Sequence, residues 1–199
     1  MQDEVLELLS ARRGHFLFES GHHGSLWLDL ELLCLRPQLV QPLAAELASR
    51  LAAVQVEVIC GPLVEGAFVG LMVASELNCS FVYTERFTRP SPNGLFSMGY
   101  RVPEPLRSKL AGRRVAIVND VINAGSAVRG SLADLDACGA SVVAIGCLLV
   151  LGTAAFEFAT ARTIPLETIA RRPSELWEPA ECPLCAAGPP LQNVAGFGS

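Results

Sequence analysis

Lysine is almost missing from this chain: Lys109 is the only one, and arginine supplies nearly all the positive charge. With a net charge of -5 there is no basic face for nucleic acid, so no nucleic-acid partner is expected. Long hydrophobic runs are missing too. The longest, Val142 to Ala155, is broken by Gly146 and Gly152 and falls short of the roughly 18–20 apolar residues that span a bilayer. No membrane association is expected, although 51% of residues are hydrophobic. The opening MQDEVLELLSARRG has no apolar h-region, so a cytoplasmic location is expected. There is no G-x-x-x-x-G-K-[ST], no G-x-G-x-x-G after a first strand, and no internal repeat.

What is present reads as one α/β domain, because 199 residues suffice for a single well-filled core. A first helix is expected over Asp3 to Ser10, then an extended region from His15 to Leu33. Leu39, Leu43, Leu47, Leu51 and Val54 recur at helical spacing. Apolar runs at Val56–Cys60, Ser80–Tyr83, Val115–Val118 and Val142–Val150 read as buried strands. Helices are expected over Ala67–Leu77 and after Ser126, the latter with Val128, Leu132, Leu135 and Cys138 on one face and Gly139 at its end. Strands alternating with helices predict a doubly wound, mainly parallel sheet. Thr88 to Pro105, with prolines at Pro90, Pro92 and Pro103 before its closing Pro105, is expected to be a long loop, and the Pro-, Cys- and Gly-rich tail from Trp177 to be irregular.

In such a sheet ligands bind at the carboxyl ends of strands. The stretch VAIVNDVINAGSAV, Val115 to Val128, has the most specific such end. Its strand runs into Asn119 and Asp120, then into Asn123, Ala124, Gly125, Ser126 and Ala127. Small residues there let the backbone approach a ligand, and their N–H groups would sit at a helix N-terminus suited to an anion. Asn119 and Asp120 are then placed to meet the hydroxyls of a sugar attached to that anion. The alternative is a plain strand-to-helix turn with Ser126 as its N-cap.

This stretch resembles the 5-phosphoribosyl diphosphate (PRPP) signature of type I phosphoribosyltransferases. The resemblance extends in order along the chain. GHFLFESGHHGSLWLDL, Gly14 to Leu30, is similar to the N-terminal hood of orotate phosphoribosyltransferases, CGPLVEGAFVG to their pyrophosphate loop, and FVYTERF with the loop after it to their strand and catalytic lid. It implies a hood over about 1–35, a core over about 36–170 and a tail over about 171–199. It also implies a PRPP-dependent transferase that uses Mg²⁺ and a nucleobase, most similar to the orotate enzymes, acting as a homodimer. Its implied PRPP contacts are Asn119, Asp120, Asn123 to Ala127, Leu63 and Val64 through backbone amides, and Glu85 and Arg86. Asp120 would be catalytic, Arg89 and Arg101 would supply lid cations, and His23 and Ser25 would face the base. Asn119 stands where the family has an acid, and the lid reads Ser97-Met98-Gly99-Tyr100 without lysine. A PRPP-binding regulator, or a transferase for a purine base, remains the alternative.

Other features stay open or bland. His22 and His23 read either as substrate contacts or as a solvated turn, Glu85-Arg86 as PRPP contacts or a strand-end ion pair, and Trp27 and Trp177 as packing residues. The seven cysteines read as small residues of a reducing compartment. Cys182 and Cys185 have zinc-knuckle spacing, but no second C-x-x-C or neighbouring histidine accompanies them. No zinc is therefore expected within one chain, a site shared across a dimer being the one geometric escape. The Mg²⁺ that the resemblance implies would be held mainly by the substrate, with Asp120 its one candidate protein ligand.

Overall fold

The computed structural model describes residues 2–18, 22–90, 96–173 and 175–193. In chain order the elements are α1 (Gln2–Leu8), β1 (Arg12–Leu17), β2 (His23–Trp27), α2 (Pro37–Leu51), β3 (Val58–Pro62), α3 (Glu65–Glu76), β4 (Ser80–Pro90), β5 (Phe96–Arg101), α4 (Glu104–Arg107), β6 (Arg114–Ile122), α5 (Ser126–Ala137), β7 (Ser141–Leu151), α6 (Ala154–Ala161), β8 (Leu166–Arg172), β9 (Leu176–Trp177), α7 (Pro183–Ala187) and β10 (Gln192–Asn193).

The main sheet has the order β5-β4-β3-β6-β7-β8, parallel throughout except for β5. From β3 the chain winds outward to β4 and β5, then returns to β6 on the other side of β3 and winds outward again. The winding therefore reverses between β3 and β6, where loops diverge and leave a crevice. Helices cover both faces. Val40, Ala44, Leu47 and Leu51 of α2 pack with Val69 and Val73 of α3 on one side. Val128, Leu132 and Leu135 of α5 pack with Ala155 and Ala159 of α6 on the other. Each buried Val or Leu side chain contributes about 1.5–3 kcal/mol over an exposed one. Covered on both faces, β6 is buried from Val115 through Asp120, so its polar pair is buried with it.

The expected doubly wound sheet is present, with three differences. Residues 88–105 are mostly a hairpin, not a loop: β4 continues to Pro90 and pairs antiparallel with β5, from Glu85 opposite Arg101 to Pro90 opposite Phe96. Pro90 ends one strand and Pro103 precedes α4, so neither breaks the ladder. Pro92 and Asn93-Gly94 lie outside the described residues. Second, α6 and β8 add a unit beyond Val150 that the apolar pattern did not mark. Third, the described part of the tail, residues 175–193, forms regular elements: β9 pairs with β2 and β10 with β1, giving a separate four-stranded sheet, β10-β1-β2-β9. These short tail strands cover both open edges of the hood hairpin. Within the hood Trp27 packs on Phe16 and Phe18, the packing role expected of it.

The hairpin is fastened to α5. Asp134 accepts from the Val102 N–H and from Arg107 at 2.7 Å each. Thr84 and Ser131 share a buried hydroxyl hydrogen bond of 2.6 Å. Tyr100 lies over Gly130, where an added Cβ would meet its ring at 2.6 Å. A helical Gly→Ala change normally stabilises by about 0.8–1 kcal/mol. Here overlap with Tyr100 opposes the gain, so Gly130→Ala is expected to lower the melting temperature, as differential scanning calorimetry would read. A rise of several degrees would contradict this docking.

Candidate active site

The site is built at the crevice. The first turn of α3 folds back so closely on β6 that a Cβ on Gly66 would collide with the Asn119 side-chain oxygen. Asn119 in turn donates from Nδ2 to the Val121 carbonyl at 2.8 Å. Asp120 is 5% exposed, and its Oδ2 has no hydrogen-bond partner among the described residues. Burial pushes its carboxyl up to about 6 against the pull of the Val121 and Asp120 backbone amides, with Glu65 raising it further.

After β6 the chain turns through Asn123 and Ala124 to Gly125, which has φ +79, a conformation that favours glycine. Gly125, not Ser126, is the N-cap of α5, and no side chain caps the helix. The plain-turn alternative needed a Ser126 cap. Without one, the amides of the first turn have no intrahelical partner and are open to an anion. Asn119, Val121, Asn123, Ala124, Gly125, Ser126 and Ala127 line a cavity of about 250 Å³, roofed by Phe18 of the hood and Leu176 of β9. That lies below the roughly 300–1,000 Å³ of drug-sized sites and suits a sugar phosphate. A larger cavity of about 670 Å³ opens beside α1, but its lining holds two arginines and two glutamates, Arg13 pairing with Glu175 at 3.5 Å, so its charges balance.

The other expected site residues divide. The Leu63 N–H is consumed by the Thr84 carbonyl at 2.9 Å, so it cannot serve a ligand as expected. Val64, half exposed after a cis peptide, and the start of α3 remain as the open part of that loop. Glu85 pairs with Arg101 across the hairpin at 3.9 Å, and Arg101 also stacks over Phe87 at 5.1 Å. Neither these two nor Arg86 lines the cradle, because Arg101 sits at the hairpin base. The Arg89 side chain lies outside the described residues.

His23 and Ser25, expected to face the base, are also turned elsewhere. Ser25 donates to Glu175, and His23 Nδ1 points at His15 and Cys185. His22 meets Glu178 at 3.0 Å. Histidines absent from the neighbourhood of Cys182 and Cys185 in sequence are thus beside them in space, which revises the expectation that no metal ligands accompany the pair. His15 was passed over because it lies 167 residues from Cys182. Cys34, Cys79 and Cys138 are half-buried and Cys60 and Cys147 buried, in keeping with small packing residues.

The buried carboxylate has a measurable consequence. A pKa displaced from 3.8 to about 6 corresponds to about 3 kcal/mol. Between about pH 4 and 6 the folded protein keeps a proton that the unfolded chain has released, so stability falls as pH rises through that window and is flat above it. Asp120→Asn should remove this contribution and stabilise the ligand-free protein at pH 7.5 by about 1–3 kcal/mol. Thermal unfolding of both proteins from pH 4 to 8 reads it. An unchanged or lower stability at pH 7.5 would contradict the isolated carboxylate.

Comparison with known proteins agrees with this architecture. The family described as Phosphoribosyl transferase domain matches residues 36–161, well over half of the chain. Orotate phosphoribosyltransferase from Thermotoga maritima is 28% identical over 201 residues, covering 100% of this chain and 99% of its own. Its counterpart from Nitratiruptor sp. is 30% identical over 192 residues, 88% of each. In the solved structure of orotate phosphoribosyltransferase from Aeropyrum pernix the fold recurs with a TM-score of 0.65 at 22% identity, over 86% of this chain and 93% of that one. Adenine phosphoribosyl transferase from Trypanosoma brucei gives 0.64 at 18%, over 85% and 78%. Because residues 36–161 build both the reversing sheet and the cradle at its crevice, this chain is a pentosyltransferase that belongs to the phosphoribosyltransferase family.

Proposed function

We propose that the protein transfers the 5-phosphoribosyl group of PRPP to orotate, giving orotidine 5'-monophosphate and pyrophosphate. The observation that carries this is the uncapped start of α5 behind the small-residue loop, in a cavity lined by Asn119, with Asp120 buried beside it in β6. The end-to-end similarity to proteins named orotate phosphoribosyltransferase supports orotate over the purine bases.

In this reading the 5-phosphate accepts N–H groups from Ser126 and Ala127 and the Ser126 hydroxyl, while Asn119 meets a ribose hydroxyl. Pyrophosphate sits against Val64 and the positive end of α3. The bond from ribose C1 to the diphosphate oxygen breaks, its electron pair leaving with pyrophosphate. The orotate ring nitrogen then donates a pair to C1, and its proton passes to an oxygen of the departing pyrophosphate or to water. Cationic charge grows at C1 between these events, and the Asp120 carboxylate stabilises it in a site with little water to screen the attraction. Mg²⁺ suits this donor set, since the unpartnered Asp120 Oδ2 is a hard oxygen beside a diphosphate, and it would supply charge neutralisation of the leaving group. Arg86 and Arg89 belong to β4, the strand that leads into the lid, and would supply its cations. The protein works in the cytoplasm as a homodimer whose hairpins reach the neighbouring site.

A second reading, a PRPP-binding regulator, is favoured by one observation: Arg101 is engaged with Glu85 and Phe87 instead of being held ready for a leaving group. Pyrophosphate release from PRPP and Mg²⁺ with orotate, uracil, adenine or hypoxanthine separates the two. Turnover with orotate is expected. Turnover with another base corrects the substrate, and calorimetric PRPP binding without turnover on any base overturns the enzyme. Asp120→Asn should lower kcat by about 10²–10³. Gly125→Val should instead raise the KM for PRPP about tenfold or more, by straining the loop and blocking the phosphate's approach. A KM left unchanged would move the phosphate elsewhere.

A further inference from the structure

Four donor atoms outside the cradle converge in the hood. They are His15 Nε2 from β1, His23 Nδ1 from β2, and the Sγ atoms of Cys182 and Cys185 at the start of α7, all within 4.8 Å of one another. His15 Nε2 lies 3.1 Å from His23 Nδ1, 3.4 Å from Cys182 Sγ and 3.8 Å from Cys185 Sγ, and His23 Nδ1 lies 3.2 Å from Cys185 Sγ. Zinc bound at 2.0–2.1 Å from nitrogen and 2.3 Å from sulfur in a tetrahedron separates its ligands by about 3.3 Å (N to N) and about 3.6 Å (N to S). The observed spacings fall within a few tenths of an ångström of those edges.

We infer that His15, His23, Cys182 and Cys185 form a closed Cys₂His₂ site for a structural Zn²⁺ that clamps the C-terminal tail onto the hood.

The surroundings agree with that role. His15 Nδ1 donates to the Pro189 carbonyl at 3.1 Å, which leaves the lone pair of a neutral ring on Nε2, facing the other donors. Such an outer hydrogen bond is the usual partner of a metal-bound histidine. His15, His23 and Cys182 are 2%, 7% and 6% exposed, so three of the four donors are shielded, and Cys185 closes the site from the exposed side. No carboxylate belongs to the group, and two nitrogens with two sulfurs select zinc over the hard cations. Binding releases one proton from each thiol, and Zn²⁺ with two thiolates is neutral overall, so burying it carries little desolvation cost. Four protein ligands leave no position for water or substrate, which marks the site as structural.

The clamp has something to hold. β9 and β10 each meet the hood through only two paired residues, too few to fix a tail by themselves. Between those strands lie Cys182 and Cys185, so one ion would secure both. Leu176 of β9 and Phe18 beside β1 roof the cradle, so the same ion would steady the roof.

The test uses the untagged full-length protein purified without added metal. Mass-spectrometric metal analysis should find about one zinc per chain. Removing it with a chelator should lower the melting temperature by about 5 °C or more, and refilling with Co²⁺ should give the intense visible bands of a tetrahedral thiolate site. The paired change Cys182→Ser and Cys185→Ser should abolish zinc and Co²⁺ bands together. Should that variant fail to fold, the wild-type Co²⁺ spectrum still decides. Zinc below about 0.1 per chain with no Co²⁺ bands in folded wild-type protein overturns the inference. So does loss of two free thiols, which would mean a disulfide. All these readouts are independent of phosphoribosyl transfer, so failure of either reading leaves the other standing.

Discussion

A buried carboxylate with one oxygen unpartnered is the costly element of this structure, and much else is arranged around it. Asp120 sits near the end of the central strand of a sheet covered on both faces, where no cation among the described residues offsets its charge. Tight packing shields the position from solvent. Gly66 brings α3 against Asn119, α5 closes the other face, and the hood stands above. An isolated charge in such a setting strongly attracts whatever positive centre is delivered to it. The same burial that weakens the empty protein therefore strengthens the interaction made when a cationic centre forms beside it.

The two regions facing that carboxylate are held differently. The cradle belongs to the core: its loop is anchored by β6 below and α5 behind, both deep in apolar packing. The hairpin is an edge of the same sheet, fastened to α5 at its base through Tyr100, Val102 and Asp134. Arginine in place of lysine changes how such an arm carries charge. A planar guanidinium can stack and pair sideways, as Arg101 does with Phe87 and Glu85, whereas an ammonium group carries its charge as a point on a flexible stem.

Much of this was legible in the chain. The buried strands announced themselves as unbroken apolar runs, and the cradle through a polar pair followed by small residues, because backbone approach and helix-end chemistry constrain residue type directly. The hairpin was obscured by its prolines, which count against a strand unless they fall at its ends, and here they do. Leu63 was misread because a backbone amide carries no sequence label; only the β4 carbonyl opposite shows that it is taken. His23 went astray for a related reason. Its neighbours in sequence pointed to the base, but its neighbours in space come from the far end of the chain. Metal spacing rules work on local clusters, and His15 with Cys182 is not local.

That separation bears on the order of folding. Contacts 167 residues apart close a very large loop, and the entropy of closing it grows with the length of free chain between the ends. Once β3 to β8 have wound into the sheet, nearly all of that length is consumed, and only short segments at either end remain to be brought together. The hood is therefore a keystone in the literal sense: it joins the two ends of the described chain, and its sheet stays incomplete until β10 has been made.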